Sequence, residues 1–372
     1  MIYLDYQATT PPAPEVVHAM APWAGERFAN PHSPSKWGRE ADAAIEHARD
    51  TIERELGLER GRVAFTGTAT EAINWALKGT MEKAPQERNR IVTLATEHAA
   101  TLDTCEWLAS RGYEVVILPV QSDGLVDLDI AREAIDERTA IVAVMLVNNE
   151  IGVIQPVSKI ARMAKEAGAL TLCDAVQAFG RVAISEDVDL VALSAHKIHG
   201  PKGIGALWMR KGAEPAELIH GGGQELGLRS GTLSPALCVG FGAAAKLAGE
   251  RATRDQDHVG KLAIAARDAL GPEWTVNGSL DCRYDGNLNI RRDGADGARL
   301  IADLRDIAFS LGSACASGSG RPSHVLKAIG LDNREARSSI RLGFGRYTTK
   351  KELIEACRRI AEAARRQENV EA

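Results

Sequence analysis

The 372-residue chain has no apolar run near the ~20 residues that a membrane helix needs. Its longest ones, such as Ile141 to Val147 in TAIVAVMLVNN, have the length of buried strands, so no membrane partner is expected. No basic stretch leads into an apolar one at the start: MIYLDYQATT places Asp5 where a secretory signal would be apolar, and the expectation is a cytoplasmic protein. Cationic excess is also missing. Lys and Arg number 45 against 50 Asp and Glu, a net charge of -5, which argues against a direct nucleic-acid partner. The cysteines Cys105, Cys173, Cys238, Cys282, Cys315 and Cys357 are widely separated and form no CxxC pair, so neither a structural zinc cage nor a redox dithiol is indicated. In a cytoplasmic chain they are expected to be reduced. His196 and His199 stand three apart, but Lys197 lies between them and no carboxylate is close, so no metal is expected. Internal repeats and low-complexity tracts are absent.

What is present is a soluble globular composition, 45% hydrophobic and 26% charged, in a chain long enough for two packed domains. From residue 40 to about 210, strand-like and helix-like patterns alternate, the signature of an α/β unit with a mainly parallel, buried sheet. The strand candidates are RVAFTG, RIVTLAT, YEVVILPV, TAIVAVMLVNN, LTLCDA, DLVALSAH and GIGALWM, which predicts a seven-stranded sheet. Amphipathic runs such as READAAIEHARDTIERELG and VSKIARMAKEAG separate them and stop on or near Gly, Asp or Asn. After Gly231, a helical stretch from Pro235 to Gly271 leads into shorter, mixed elements. The expected organisation is an N-terminal segment, 1–14, packing with the small domain, a large domain, 15–250, and a smaller α+β domain, 251–372, ending in a polar, frayed tail.

Ligands of parallel sheets collect at the carboxyl ends of the strands, and the residues there are unusually polar. RVAF is followed by TGTATEA, a small-residue turn entering a helix, where free amides and Thr70 suit a phosphate. The other strand ends carry His98, Asn149, Asp174 with Gln177, and Ser194 with His196 and Lys197. Each alone has an ordinary explanation: Thr70 and Ser194 as helix caps, His98 as a satisfied buried histidine, Asp174 as a capping carboxylate. Their convergence on one edge does not. Asp174 and Lys197 both close very apolar strands, where a charge is expensive without a partner. A lysine there can act as an amine nucleophile toward an aldehyde, and a carboxylate can hold a proton on a pyridine nitrogen. Phosphate cradle, reactive lysine and pyridinium partner together describe pyridoxal 5'-phosphate. Separately, LGSACASGSG sets Cys315 among small residues that neither bury a thiol nor hold it rigid.

The motifs YLDYQATTP, VNNEIGVIQP, SAHKIHGPKGIGAL, HGGGQELGLRSGTL, GSACASGSGRPSHVL and SSIRLGFGRYTT, in that order between residue 3 and about 350, resemble the cysteine desulfurases of the NifS/IscS type. That family is a branch of the fold-type I pyridoxal phosphate enzymes. The resemblance implies Lys197 as the Schiff-base lysine, Asp174 as the pyridine-nitrogen partner and Gln177 as hydrogen-bonded to the phenolic oxygen. His98 would stack on the ring and shuttle protons. Thr70, Ser194 and His196 would bind phosphate, with Thr232 reaching across from the second subunit of a homodimer. Asn149 and Arg341 would take the substrate carboxylate, a fork suited to two oxygens. Cys315 would accept sulfur from L-cysteine as a persulfide, leave L-alanine, and pass the sulfur to an acceptor protein, an iron–sulfur scaffold or a thiolation enzyme. Selenocysteine lyase and a catalytically reduced regulatory subunit are the alternatives. Three departures stand out: TGTATEA where TSGATE is usual, Arg321 where glutamate is expected, and an early end after the helix at Glu352 to Arg366. The last puts a scaffold partner that docks on a longer C-terminal segment in doubt.

Overall fold

In a computed structural model, the structure describes residues 1–311 and 323–371, with side chains to 367. Strand β1 (Ile2–Tyr3) is followed by helices α1 (Pro14–Ala24) and α2 (Lys36–Leu56). The alternating part runs β2 (Gly61–Thr66), α3 (Ala69–Lys83), β3 (Arg90–Leu94), α4 (Ala99–Ala109), β4 (Glu114–Leu118), α5 (Leu128–Ala134), β5 (Thr139–Met145), α6 (Val157–Glu166), β6 (Leu170–Asp174), β7 (Leu190–Ser194) and β8 (Gly205–Arg210). Helix α7 (Pro235–Leu270) leads to β9 (Thr275–Val276), β10 (Asn287–Arg291), α8 (Gly297–Asp303) and β11 (Ile307–Ala308). Beyond residue 322 come α9 (His324–Ala328), α10 (Asn333–Arg337), β12 (Ser339–Gly343) and α11 (Lys350–Glu371).

Among the described residues, the seven expected strands form one sheet in the order β2-β8-β7-β6-β5-β3-β4. Only β8 runs against its neighbours, pairing antiparallel with β2 and β7. Because strand side chains alternate in direction, a sheet covered on both sides needs apolar residues at every position. Strand β5 shows it: Ile141 and Ala143 pack with Trp75 and Leu108 beneath α3 and α4, whereas Val142 and Val144 pack with Ile45 and Phe241 beneath α2 and α7. The result is a three-layer α/β/α unit.

A second core gathers β10, β12, α11 and the end of α7 around Leu288, Ile290, Leu342 and Ile360. Helix α7 spans 36 residues, about 54 Å at 1.5 Å per residue. Its first half buries Phe241 and Ala245 in the sheet core, and its second half buries Leu262 and Leu270 in the other. The division expected at residue 250 falls inside this helix. The N-terminal segment touches both units: Ile2 and Tyr3 pair in parallel with Ile307 and Ala308, while Thr10 N and Ala13 N donate to the carbonyls of His196 and His199. Among the described residues no helix is long and apolar enough to cross a membrane.

Candidate active site

Parallel strands that all end at one edge deliver their following residues to one place. A cavity of about 620 Å³ opens there, lined by Thr70, His98, Asn149, Asp174, Gln177, Ser194, His196 and Lys197. Arg341 reaches it from β12 across the interface of the two units. Nine residues singled out along the sequence therefore line one cavity. Thr232 is exposed and does not line this cavity within the chain. Cys315 lies outside the described residues.

Lys197 ends a single 3-10 turn, Ala195–Lys197, directly after β7. Its Nζ donates to the carbonyls of Gln7 and Ala8, the latter at 2.9 Å. Burial, helped by the Arg341 and Arg181 cations, pulls the amine down to about 8, while Asp5 and Asp174 oppose the shift. The neutral, nucleophilic form is thereby populated near neutrality. Asp174 closes β6, 3% exposed, and accepts from Val176 N at 2.9 Å. Burial raises its pKa, with that hydrogen bond and the His98 and Lys197 charges acting the other way.

His98 is the N-cap of α4: its Nδ1 accepts from Ala100 N at 3.0 Å. A backbone N–H only donates, so Nδ1 bears the lone pair and Nε2 the proton of the neutral ring. Burial, together with the Lys197 and His324 charges, lowers its pKa and favours that neutral ring, against the pull of Asp174. Burial and then the cations Lys197 and Lys202 push His196 down to about 4. Its Nδ1 lies 3.1 Å from Thr9 Oγ1.

The turn entering α3 is built without backbone strain. Thr68, not Thr70, is the N-cap, extended at φ -158 and accepting from Glu71 N at 3.2 Å. Glu71 reaches back to Gly67 N at 2.7 Å and pairs with Arg229 at 2.8 Å. The displaced glycine of TGTATEA thus leaves a capped helix start, with the hydroxyl of Thr70 free to face the cavity. Gly205 is required behind it: a Cβ there would stand 2.5 Å from Thr68 C and 2.6 Å from Ala69 N.

Arg341 is 1% exposed; its Nη2 donates to Asp5 Oδ1 at 2.8 Å and its Nη1 to Asn149 O at 2.9 Å. Asp5, Gln7 and Ala8 are site residues that sequence patterning missed, although they lie in the motif YLDYQATTP. Glu97 and His324 were missed as well. His324 lines the cavity and its Nε2 meets Glu97 O at 2.9 Å, while Glu150 accepts from Ser323 Oγ. Among the described residues no group of three or more His, Cys, Asp or Glu is placed to hold a metal.

The model of the aminotransferase class-V family matches residues 2–355. The chain belongs to that family. Among class-V relatives, the cysteine desulfurase IscS of Rickettsia bellii is 44% identical over 95% of this chain and 88% of its own length. Its counterpart in Rickettsia typhi is 43% identical over the same shares. Among solved structures, a NifS-like protein superposes with a TM-score of 0.90 at 34% identity, covering 97% of this chain and 98% of its own. A structure titled SspA in complex with cysteine gives 0.83 at 34% identity, covering 94% and 100%. With TM-scores of 0.90 and 0.83 to these structures and the class-V family match, the fold-type I architecture expected from the motifs is the architecture found.

Proposed function

We propose that this class-V protein is a pyridoxal-phosphate-dependent cysteine desulfurase that converts L-cysteine to L-alanine. The observation that carries the reading is Lys197: an amine whose pKa is pulled down to about 8, in one cavity with the buried carboxyl of Asp174 and the capped start of α3. The desulfurase names of relatives more than 40% identical over nearly the whole chain support it.

The donor set fits the cofactor. Lys197 would hold its aldehyde carbon, Asp174 its pyridine nitrogen and Gln177 its phenolic oxygen. Thr70, Ser194, His196 and the first amides of α3 would hold its phosphate, with Thr232 of a second subunit added in a homodimer. Bound there, the cofactor supplies an electron sink for negative charge at the substrate Cα. The protein supplies the rest. His98 would stack on the ring, with its Nε2–H, set by the Ala100 N bond to Nδ1, as the group that exchanges protons there. Asn149 and Arg341 take the carboxylate of L-cysteine, Arg341 exchanging its link to Asp5 for the substrate's two oxygens.

Cys315 is proposed to accept the sulfur. Its thiolate forms an S–S bond as the substrate Cβ–S bond breaks, and a proton delivered to Cβ completes the methyl group of L-alanine. The persulfide then passes to an acceptor protein, an iron–sulfur scaffold or a thiolation enzyme. Free cysteines at Cys105, Cys173, Cys238, Cys282 and Cys357 are consistent with a reducing, cytoplasmic setting. Large exposed apolar side chains, Phe28 at 81% and Trp37 at 68%, support a homodimer. The test is alanine formation from L-cysteine together with a visible absorbance of the purified protein, both lost in Lys197→Ala. Alanine formed at the wild-type rate by that variant would end the reading.

A further inference from the structure

The side-chain amide of Gln177 has its direction set from both ends. Nε2 donates to Gln7 O at 3.0 Å, and Oε1 accepts from Arg181 Nη1 at 3.0 Å. A carbonyl only accepts and a guanidinium only donates, so a flipped amide would set like against like at each end. The same guanidinium donates through Nη2 to Lys197 O and lies 5.1 Å from the centre of the Tyr284 ring, in the C-terminal unit. Lys197 Nζ donates to the Gln7 carbonyl that Gln177 also uses. One carbonyl therefore gathers the amide nitrogen and the amine, and one guanidinium holds both residues from behind.

Arg181 lies in RVAIS, a stretch without apolar periodicity, and no catalytic step above uses it. We propose that Arg181 is a positioning residue of this site: it locks Gln177 so that the cavity meets an N–H donor instead of an oxygen, and it holds the main chain of Lys197. The proposal rests on the reading that the cavity takes pyridoxal phosphate. Of the two N–H bonds on Gln177 Nε2, one serves Gln7 O, and the second has no partner among the described residues. A donor beside the amine suits an ionised phenolic oxygen. The Arg181 charge acts in the same sense as Arg341 and against Asp5 and Asp174, disfavouring a further positive charge on the lysine nitrogen.

The test is a pH titration of the visible absorbance of the purified holoenzyme, comparing wild type with Arg181→Met, Arg181→Lys and Tyr284→Leu. Losing both the cation and the fixed donor raises the midpoint in Arg181→Met, by about half a pH unit or more. Arg181→Lys, which keeps the charge and one hydrogen bond, falls between that variant and wild type. Tyr284→Leu removes the stacking ring alone and leaves the midpoint in place. A merely structural role would lower the melting temperature of Arg181→Met with an unmoved midpoint, and that result overturns the proposal. A Tyr284→Leu shift as large as that of Arg181→Met overturns it too. If Arg181→Met does not fold, Arg181→Lys decides: a wild-type midpoint contradicts the assignment. A wild-type protein without a visible band overturns the cofactor reading, and this inference with it.

Discussion

The lowered amine of Lys197 gives the sharpest prediction, because its magnitude follows from the surroundings of one nitrogen. An ordinary lysine titrates at 10.5, and burial beside Arg341 and Arg181 brings this one to about 8. At pH 7 roughly 9% of such amines are neutral, against roughly 0.03% at the ordinary value, a ratio near 300-fold. Cofactor-stripped protein is exposed to trace acetic anhydride, an uncharged reagent, between pH 6 and 10. Acetylation at Lys197 is read by peptide mass spectrometry with exposed Lys36 as internal reference. Since only the neutral amine reacts, the Lys197 rate rises about tenfold per pH unit up to about 8 and then levels. Asp174→Asn removes a carboxylate that holds the proton on, and so moves the break lower. A Lys197 rate still rising tenfold per unit beyond pH 9 would refute the argument, because it would mean that enclosure leaves the amine ordinary.

Other perturbations test the frame around the cavity. Glu225 binds Arg49 through two bonds of 2.7 and 2.8 Å and also accepts from Phe65 N, all of it buried. Arg49→Met, leaving that carboxylate unpaired, is expected to cost about 3–5 kcal/mol in urea denaturation, and Arg49→Met with Glu225→Leu markedly less. Gly205→Ala drives a Cβ into the backbone of Thr68 and Ala69; it should destabilise by about 1–3 kcal/mol and weaken pyridoxal phosphate retention by equilibrium dialysis. Glu97 is 1% exposed, with Oε1 accepting from Met145 N and Oε2 without a partner among the described residues. Burial raises its pKa well above 4.5, so the folded protein keeps a proton that the unfolded chain releases. Stability is lost as pH rises above that value, by up to ~1.4 kcal/mol per unit, and Glu97→Gln should gain on wild type over pH 5–8 in denaturant midpoints.

The sheet was legible because its central strands, β5 to β7 among them, are buried on both faces and so read as short unbroken apolar runs. RVAFTG through GIGALWM each became a strand, and the polar residues after them reached one cavity. The reversed direction of β8 left no trace in composition, since a covered strand looks alike both ways round. Thr68 and Thr70 are equivalent N-cap residues by type, and only the backbone of the turn assigns the cap to Thr68. Contacts at long separation were invisible to patterning. Asp5 and Arg341 are 336 residues apart, and Gln7 O reaches Lys197 across 190. No periodicity encodes such pairs; motif resemblance marked the segments that carry them without saying what they touch. Arg181 shows the same limit, an exposed-looking residue in sequence that folds back onto two site residues.

The account is tested most directly by following the sulfur. Wild-type protein is mixed with one equivalent of L-cysteine, quenched in an alkylating agent, and divided between alanine quantification and mass analysis of the peptide containing Cys315. The account predicts alanine in equal amount to a Cys315 peptide heavier by one sulfur atom, with both absent in Lys197→Ala and the heavier peptide absent in Cys315→Ala. Alanine formed at the wild-type rate by Cys315→Ala, or sulfur found on another cysteine of the wild-type chain, would contradict it.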